Sequence, residues 1–413
     1  MTYLSAVLGS PLAAADGTRV GRVHDLVARV SGDAPAVVVG LLVRHKSDDL
    51  FYPNDCLARL EAGGAALTPQ CPPPSPYRRR ENEVLAGRDI MDSQVIDLRV
   101  PRVVRVNDVL LERAGDGWRI TGVDIGVRSL LRRLLPGRSH LHSAAAHTLR
   151  WAEVELIASE IPDGRVVPDH QRLARLHPAD IARVADAVPS RQAAEIVASL
   201  DDELAADTME EMIDEKQADV VEHLDPERAA DILDHMAPDA AADVLAELEP
   251  KVVDDVLKRM VPTEAADVHA LLTYPKDTAG GLMTTDVVIA PRGLPVAGAA
   301  EYLRPQLEKP DLVYYVYVVD DVQERRLAGV FSLRDLLLAD PGQQIDQIMT
   351  AAPRQVGPDA HATNVAQLMS EYNLMALPVT DAEGRLLGVV SVDDAMETVL
   401  PADLRRRVPR VFS

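Results

Sequence analysis

The sequence is poor in cysteine and in aromatic residues. Its 413 residues include 2 cysteines, Cys56 and Cys71, with 3 phenylalanines and 2 tryptophans. Two cysteines are too few for a disulfide framework, and these two lie too far apart for a zinc-binding pair, so we expect ordinary thiols in a reducing compartment. The shortage of aromatic side chains, together with abundant alanine, favours closely packed helices over a single large aromatic core.

The sequence also lacks a long hydrophobic run. The longest uncharged apolar stretch, APAVVVGLLV at 34–43, is about half of the roughly 20 residues that a membrane-spanning helix requires. The first residues, MTYLSAVLGSPLAAADG, carry no basic charge before their apolar positions, which argues against a secretory signal. We therefore expect a cytoplasmic protein with no transmembrane segment of its own.

Acidic residues are in excess, and the excess is local. The net charge is −22. Residues 1–135 hold 18 Lys+Arg and 16 Asp+Glu, whereas residues 201–267 hold only 5 basic side chains and 22 acidic ones. Such a field repels nucleic-acid phosphates and attracts cations. We therefore expect no nucleic-acid partner.

A repeat of 24 residues occupies the middle of the chain. Leucine recurs in register at Leu176, Leu200, Leu224, Leu248 and Leu272. Each repeat also contains an alanine followed by an acid and a branched aliphatic residue, at 194–196, 218–220, 242–244 and 266–268. Prolines between the apolar segments suit the first turn of a helix. The pattern predicts a superhelix of stacked helical hairpins, with the recurrent acids forming a negative ribbon opposite the packing leucines.

The segments on either side of the repeat show strand patterns. Before it, β-branched runs alternate with DG, SGD and GDG turns, which is typical of one or two small antiparallel barrels. After residue 283 a β-turn-β-α unit occurs twice, at 313–340 and 375–400, and predicts two α/β halves. Between the repeat and these halves, the paired glycines of YPKDTAGGLMT at 274–284 predict a joint where backbones approach closely.

These segments resemble the cytosolic part of MgtE-type magnesium transporters, a helical N domain followed by tandem CBS domains. The resemblance rests on the 24-residue period, YPKDTAGGLMT, YYVYVVD, GVFSLRDLLLADP and LPVTDAEGRLLGVVSVDDAM, and it covers about residues 165–400. The N-terminal part resembles a pair of PRC barrels through LGSPLAAADGTRVGRVHDLV and VVRVNDVLL. In the family a long helix and a membrane pore follow the second CBS domain, whereas LPADLRRRVPRVFS stands here, so we expect no pore.

The predicted fold class is a multidomain α+β chain with small β-barrels, an all-α helical-repeat superhelix and a tandem α/β CBS pair. The predicted boundaries are 1–135 for the PRC-barrel-like region (one barrel, or two at about 1–70 and 84–135), 136–164 for a linker, 165–275 for the MgtE-like N domain, 276–345 and 346–400 for the two CBS domains, and 401–413 for a tail.

The resemblance implies a set of carboxylates that bridge Mg²⁺ between domains. Magnesium prefers oxygen ligands and keeps several waters, so facing acidic surfaces are enough to bind it. By register with the family, the expected metal positions are Asp219, Asp255, Asp394 and Glu397. Family acids at the positions of His361 and Asn373 are absent from this chain. The alternative is that these acids form only a solvated helix face.

The resemblance also implies a nucleotide site, because CBS pairs often bind adenine nucleotides such as ATP. They use a Ser or Thr and an Asp three residues later, which here are Ser332 with Asp335 and Ser391 with Asp394, with Arg334 beside the first pair. A helix N-terminus at this point favours phosphate. The same spacing is also a helix capping box, which is the structural alternative.

No catalytic motif is present, so we expect a protein that is not an enzyme. The predicted function is a Mg²⁺-responsive regulator that modulates a membrane metal transporter in trans and forms a homodimer through its CBS domains. Its basic segment at 127–138 is suited to anionic headgroups at the inner face of the membrane. The alternatives are an adenine-nucleotide energy sensor and a scaffold protein that senses nothing.

Overall fold

A computed structural model of the chain describes residues 2–31, 34–45, 48–80, 82–115, 117–126, 147–157, 170–307 and 313–399. The contacts divide the chain into two compact units, residues 1–204 and 205–413. The basic segment at 127–138 and the tail at 401–413 lie outside the described residues. Within the described part, no helix is both long enough and apolar enough to cross a bilayer.

The first unit is built around a nearly closed β-barrel sheet, as the short β-branched runs predict. Twelve of its strands form one sheet with the order β1-β12-β13-β4-β3-β2-β7-β6, to which β5, β8, β9 and β14 add at the sides, and β11-β10-β15 form a second sheet. The strands are β1 (Thr2–Tyr3), β2 (Pro11–Ala13), β3 (Arg19–Ser31), β4 (Ala34–His45), β5 (Asp48–Pro53), β6 (Leu57–Glu61), β7 (Gly64–Leu67), β8 (Ser75–Pro76), β9 (Glu83–Leu85), β10 (Gln94–Asp97), β11 (Arg102–Arg105), β12 (Asp108–Ala114), β13 (Gly117–Asp124), β14 (Thr148–Arg150) and β15 (Val154–Leu156).

The barrel region consists of two similar halves that exchange their first strands. The first strand of one half, β1, pairs with β12 of the other, while β9 pairs in the same way with β3. The long hairpins match in register, since Val27 faces Gly40 and Leu110 faces Gly122, and each hairpin has an irregularity directly afterwards. The two predicted barrels are therefore interlocked through a shared sheet rather than separate.

A buried carboxylate secures each exchanged segment. Asp108 accepts hydrogen bonds from the backbone N–H of Ser5, at 3.0 Å, and from its hydroxyl. Asp25 does the same for the other half, accepting from the N–H groups of Gly87 at 2.7 Å and Arg88 at 3.0 Å. Both carboxylates are at least 95% buried, and burial raises the pKa of Asp25 to about 6. Each half thus supplies a polar anchor that the other half needs.

The stretch predicted as a linker, 136–164, contains part of this sheet structure. Strand β14 pairs with β13 through Leu149 and Val123, and β15 pairs with β10 through Leu156 and Val95. Trp151, between the two strands, is 2% exposed and lies in the main core of the unit. Strands of three residues are too short to show an alternating pattern, which is why the sequence gives no sign of them.

The repeats form helices that mostly begin at a proline, as predicted. Among the described residues eight helices follow one another along the repeat region. These are α1 (Pro178–Ala187), α2 (Ser190–Ala198), α3 (Asp202–Glu210), α4 (Asp214–His223), α5 (Pro226–Leu233), α6 (Pro238–Ala246), α7 (Pro250–Leu257) and α8 (Pro262–Leu271). The register leucines at 200, 224 and 248 are buried, whereas the register acids Asp219 and Asp243 are exposed. The packing face and the acidic face therefore separate as the pattern predicts.

A recurrent acid also links successive repeats. Glu210 Oε1 accepts a 2.7 Å hydrogen bond from the N–H of Ala237, just before α6. Asp234, one period of 24 residues later, accepts from the N–H of Val261, just before α8, at 3.0 Å. In both pairs the acceptor lies 27 residues before the donor. Because the first N–H groups of a helix lack intrahelical partners, these acids satisfy the start of a neighbouring helix.

The C-terminal segment contains the two predicted α/β halves. Strands β16 (Ile289–Pro291), β17 (Val316–Val319), β18 (Leu327–Phe331) and β19 (Thr350–Ala351) form one sheet, and β20 (Ala376–Thr380) with β21 (Leu386–Ser391) forms the other. The associated helices are α9 (Ala279–Leu282), α10 (Val296–Leu303), α11 (Leu333–Leu338), α12 (Ile345–Ile348), α13 (Ala362–Tyr372) and α14 (Val392–Val399). A shared cluster that includes Ile289, Tyr317, Leu386 and Val389 packs the two sheets together.

The paired glycines of the joint allow the close backbone approach that the sequence predicts. A Cβ atom on Gly280 would lie 2.5 Å from the ring of Tyr274, and one on Gly281 would lie 2.3 Å from the carbonyl oxygen of Pro275. The N–H of Gly280 donates a 2.8 Å hydrogen bond to the carbonyl of Pro358. Any side chain at these positions would clash with residues of the joint itself.

Candidate functional site

A partly buried carboxyl group on the helical repeat lies near the second α/β half. Asp239 is the second residue of α6. Its Oδ1 atom is buried and has no hydrogen-bond partner within the described residues. The pKa of Asp239 is raised to about 8, chiefly by burial and then by the negative charge of Asp394, although a hydrogen bond with Thr284 opposes the change. Most Asp239 carboxyl groups therefore carry a proton at pH 7.

Asp394 brings the facing charge from the first turn of α14. The Ser391 hydroxyl donates a 2.5 Å hydrogen bond to Asp394 Oδ2, and the Asp394 N–H donates to Ser391 Oγ at 3.2 Å. This reciprocal pair fixes the carboxylate at the start of the helix. Because α6 and α14 come from different domains, ionisation of Asp239 would place two like charges near each other across a domain contact.

Asp243 extends the same surface by one helical turn along α6. The Asp243 side chain remains 56% exposed, but partial loss of water contact raises its pKa, and the charges of Asp214 and Asp394 add to the effect. Lys276 of the joint counteracts it, since its Nζ atom lies 3.7 Å from Asp243 Oδ1 and 2.8 Å from Glu247 Oε1. We call Asp239, Asp243 and Asp394 the acidic interface.

The chemistry of the acidic interface suits a small hard dication. Mg²⁺ takes oxygen ligands, is commonly held by one or two protein carboxylates, and fills the other positions with water. Within the described residues no group of three or more His, Cys, Asp or Glu side chains could enclose a metal ion. The fit is thus to a hydrated ion held between facing carboxylates, for which the buried unpartnered Oδ1 of Asp239 is available.

The sequence-predicted metal residues are only partly brought together. Asp394 lies in the acidic interface. Asp255 is instead bound to Arg259, with 2.5 Å between Oδ1 and Nη1, and Asp219 is exposed on α4. Residue 397 belongs to α14, but the side chain of Glu397 lies outside the described residues. Sequence reasoning missed Asp239, which follows the helix-starting proline and is outside the register of recurrent acids.

Both predicted nucleotide motifs cap the start of a helix, and the first forms a full capping box. The Ser332 hydroxyl donates to Asp335 Oδ2 at 2.7 Å, and the N–H of Asp335 donates to Ser332 Oγ at 3.2 Å. These bonds lower the pKa of Asp335. Ser391 and Asp394 form the two matching hydrogen bonds with each other, while Arg334 is exposed beside the first pair. A nucleotide hydroxyl would have to compete with these internal bonds.

The fold and the acidic interface define a class of regulatory module, in which an acidic helical repeat is joined to a pair of CBS domains. The sequence model of the MgtE intracellular N domain matches residues 176–277, and that of the CBS domain matches residues 279–342 and 345–401. Both types of domain are regulatory.

Curated and solved relatives give the same result. The chain is 42% identical over 134 residues to the magnesium transporter MgtE of Thermus thermophilus, covering 32% of this chain and 29% of the relative. It is 39% identical over 136 residues to the magnesium transporter MgtE of Enterococcus faecalis, covering 33% and 30%. A solved cytosolic domain of the Mg²⁺ channel MgtE, in complex with ATP, matches with 34% identity and a TM-score of 0.52, covering 55% of this chain and 93% of that one.

The chain therefore belongs to the MgtE family through the cytosolic region of that family, which confirms the predicted resemblance to MgtE. It spans about 30% of the length of the curated transporters it matches. The likeness includes the helical N domain, the joint and the CBS pair, and it leaves the barrel region without a matched relative among those described above.

Proposed function

We propose that this chain is a Mg²⁺-responsive regulatory protein in which the acidic interface holds magnesium between the helical repeat and the CBS pair. The observation that carries the proposal is the burial of Asp239 against the charge of Asp394, which raises the pKa of Asp239 to about 8. A site that retains a proton so strongly is one where a second cation is favourable. The matched proteins are named as a magnesium transporter and a Mg²⁺ channel, which supports magnesium as that cation.

In the proposed mechanism, Mg²⁺ converts the electrostatic repulsion between the two domains into attraction. Two unit charges about 4 Å apart repel by roughly 1 to 4 kcal/mol, depending on the local dielectric. A hydrated dication between Asp239 and Asp394 makes the same contact attractive. The ion binds preferentially to the closed state, in which α6 lies against α14. The population of this state therefore rises with the magnesium concentration until the site is saturated.

The output of this response, we propose, is regulation of a membrane metal transporter in trans by a cytoplasmic protein that performs no catalysis itself. The protein acts as a homodimer through its CBS domains. Leu337 and Leu338 support an apolar association surface there, since these neighbouring side chains are 83% and 73% exposed on α11. We also propose that the basic segment at 127–138 contacts the inner face of the membrane.

Calorimetric titration of MgCl₂ into the full chain tests magnesium binding at this site. We expect Asp239→Asn to weaken binding at least tenfold, because it removes the buried anionic oxygen while keeping the shape. Asp255→Asn is the matched control, since Asp255 is already paired with Arg259, and it should leave the affinity unchanged. Equal affinities for the wild type and Asp239→Asn would contradict the proposal.

An adenine-nucleotide sensor is the second candidate function. Two observations favour it: the matched solved domain is in complex with ATP, and Asp394 belongs both to a Ser/Asp motif and to the acidic interface. Calorimetry with ATP, ADP and AMP on the wild type, on Asp335→Ala and on the exposed Arg334→Ala separates this function from magnesium sensing. The absence of heat with all three nucleotides on the wild type would eliminate it.

A further inference from the structure

The two cysteines of the chain meet in the first half of the barrel region. Cys56 ends a short 3₁₀ turn (Asn54–Cys56) before β6, and Cys71 follows β7. The backbone of Thr68 ties the two segments together, because its N–H donates to the carbonyl of Cys56 at 2.8 Å and its carbonyl accepts from the N–H of Cys71 at 3.3 Å. The Cys71 thiol donates a 3.5 Å hydrogen bond to the carbonyl of Pro72 and lies close enough to Cys56 to raise the pKa of the Cys56 thiol. Two cysteines 15 residues apart in sequence are thus neighbours in the fold.

The two thiols differ in exposure. Cys56 is 2% exposed and is a member of the main core cluster, while Cys71 is partly exposed and packs against that cluster. Burial, followed by the hydrogen bond with Cys71, raises the pKa of Cys56 to about 12. Since the thiolate is the reactive form, an oxidant from solution would meet Cys71 first.

We propose that Cys56 and Cys71 are a paired oxidation site that forms an intramolecular disulfide in response to a hydroperoxide. The arrangement has the two parts that such a site requires: an accessible sulfur that is oxidised first and a protected sulfur in contact with it. This is a site of covalent modification in the barrel region, separate from the acidic interface, and it does not depend on magnesium sensing.

The reaction balances with one equivalent of hydrogen peroxide. The Cys71 sulfur attacks one peroxide oxygen, the O–O bond breaks, and the released hydroxide takes up the thiol proton as water, leaving a sulfenic acid on Cys71. The Cys56 sulfur then attacks the Cys71 sulfur, the S–O bond breaks, and the Cys56 proton leaves with the hydroxide as a second water. Two thiols and one peroxide therefore give one disulfide and two waters.

The bond would close a loop that contains a sheet edge. Strand β6 is the last strand in the order of the large sheet and is held by β7 alone within the described residues. Both strands lie between the cysteines, so a disulfide would fix the ends of this hairpin to each other. We expect oxidation to protect the amides of 57–67 from hydrogen exchange, because opening of the edge would be restricted.

The test is treatment of the full-length native protein with hydrogen peroxide, followed by alkylation and tryptic mapping without reductant. Trypsin cleaves after Arg59, which separates Cys56 on peptide 47–59 from Cys71 on peptide 60–78. We expect the two peptides to appear joined, the free thiols to fall from two per chain to none, and the protein to stay at the same mass per chain on a non-reducing gel.

Two single variants assign the roles. In Cys56→Ser, the sulfenic acid on Cys71 has no partner and should be trapped by dimedone. In Cys71→Ser, the buried Cys56 should remain a free thiol, with an oxidation rate at least tenfold lower than that of the wild type. Retention of both thiols in the native wild type under peroxide, or cross-links found only between chains, would overturn the proposal.

Discussion

Lys276 Nζ lies 2.8 Å from Glu247 Oε1, so a lysine of the joint contacts the acidic side of α6. The pair lowers the pKa of Glu247. The same ammonium lies 3.7 Å from Asp243 Oδ1, which makes it an internal counter-charge for the acidic interface. A cation that belongs to the protein thus contributes part of the neutralisation that we assign to magnesium.

Loss of this lysine should make the protein more dependent on magnesium. We expect Lys276→Met to lower stability without Mg²⁺ by about 0.5 kcal/mol, a typical value for a half-exposed ion pair. With saturating Mg²⁺ the deficit should shrink, because the added ion replaces the missing charge. Thermal melts at fixed ionic strength, with Lys276→Arg as the charge-retaining control, measure this difference. A deficit of the same size with and without Mg²⁺ would show that Lys276 has no electrostatic link to the site.

The raised pKa of Asp239 predicts a specific pH dependence. Because the folded state holds this proton up to about pH 8 while the unfolded state releases it near 3.8, the folded state binds more protons in between, and its stability falls as the pH rises through that window. Asp239→Asn removes this loss. We expect the variant to be more stable than the wild type by more than about 1 kcal/mol at pH 9, since each pKa unit corresponds to about 1.4 kcal/mol.

Urea denaturation at several pH values measures this effect as the difference between the wild type and Asp239→Asn. Asp25, whose pKa is raised to about 6, contributes equally to both proteins and cancels in the difference. Millimolar Mg²⁺ should reduce the wild-type decline, because the metal displaces the proton. A difference that stays constant from pH 5 to pH 9 would contradict the burial of Asp239 against Asp394.

The exchanged strands of the barrel region predict that its two halves unfold together. Asp108→Asn replaces one acceptor oxygen with a donor that faces the N–H of Ser5, and Asp25→Asn does the same at Gly87 and Arg88. Each change should cost about 1 to 3 kcal/mol. In each variant, hydrogen exchange should accelerate in both halves alike. Acceleration limited to the half that carries the substitution would refute the interlocked arrangement.

The exposed leucines of α11 predict the dimer surface. We expect Leu337→Lys combined with Leu338→Lys to weaken dimerisation at least tenfold, because two charges would enter an apolar contact. Val322→Lys is a control in the same domain, since Val322 is 38% exposed on a turn between strands. Sedimentation equilibrium gives the mass directly. Equal dimer fractions in the wild type and the double variant would place the interface elsewhere.

The repeat helices could be predicted from sequence because their signals are local. A helix-starting proline, a buried leucine such as Leu224 and an adjacent pattern of alanine, acid and valine each act within one or two turns. The capping of Val261 by Asp234 could not be predicted in the same way, although the acid recurs every 24 residues. Its partner lies 27 residues away, and only the packing of the helices identifies it.

The site was less predictable because it depends on which helix meets the CBS pair. Asp394 was expected from the family resemblance and lies in the acidic interface. Nothing in the local sequence distinguishes Asp239 from other acids in the first turn of a helix, and its burial comes from residues such as Thr284 that are remote in sequence. The exchange of β1 and β9 was hidden for the same reason, since both strands pair with the opposite half.

Hydrogen exchange at α6 and α14, with and without Mg²⁺ at constant ionic strength, tests the central claim most directly. If magnesium reverses the repulsion between Asp239 and Asp394, amides of 238–246 and 392–399 should exchange at least tenfold more slowly in millimolar Mg²⁺, and Asp239→Asn should abolish the response. Equal exchange in both conditions, with wild type and variant alike, would contradict the claim that this contact responds to magnesium.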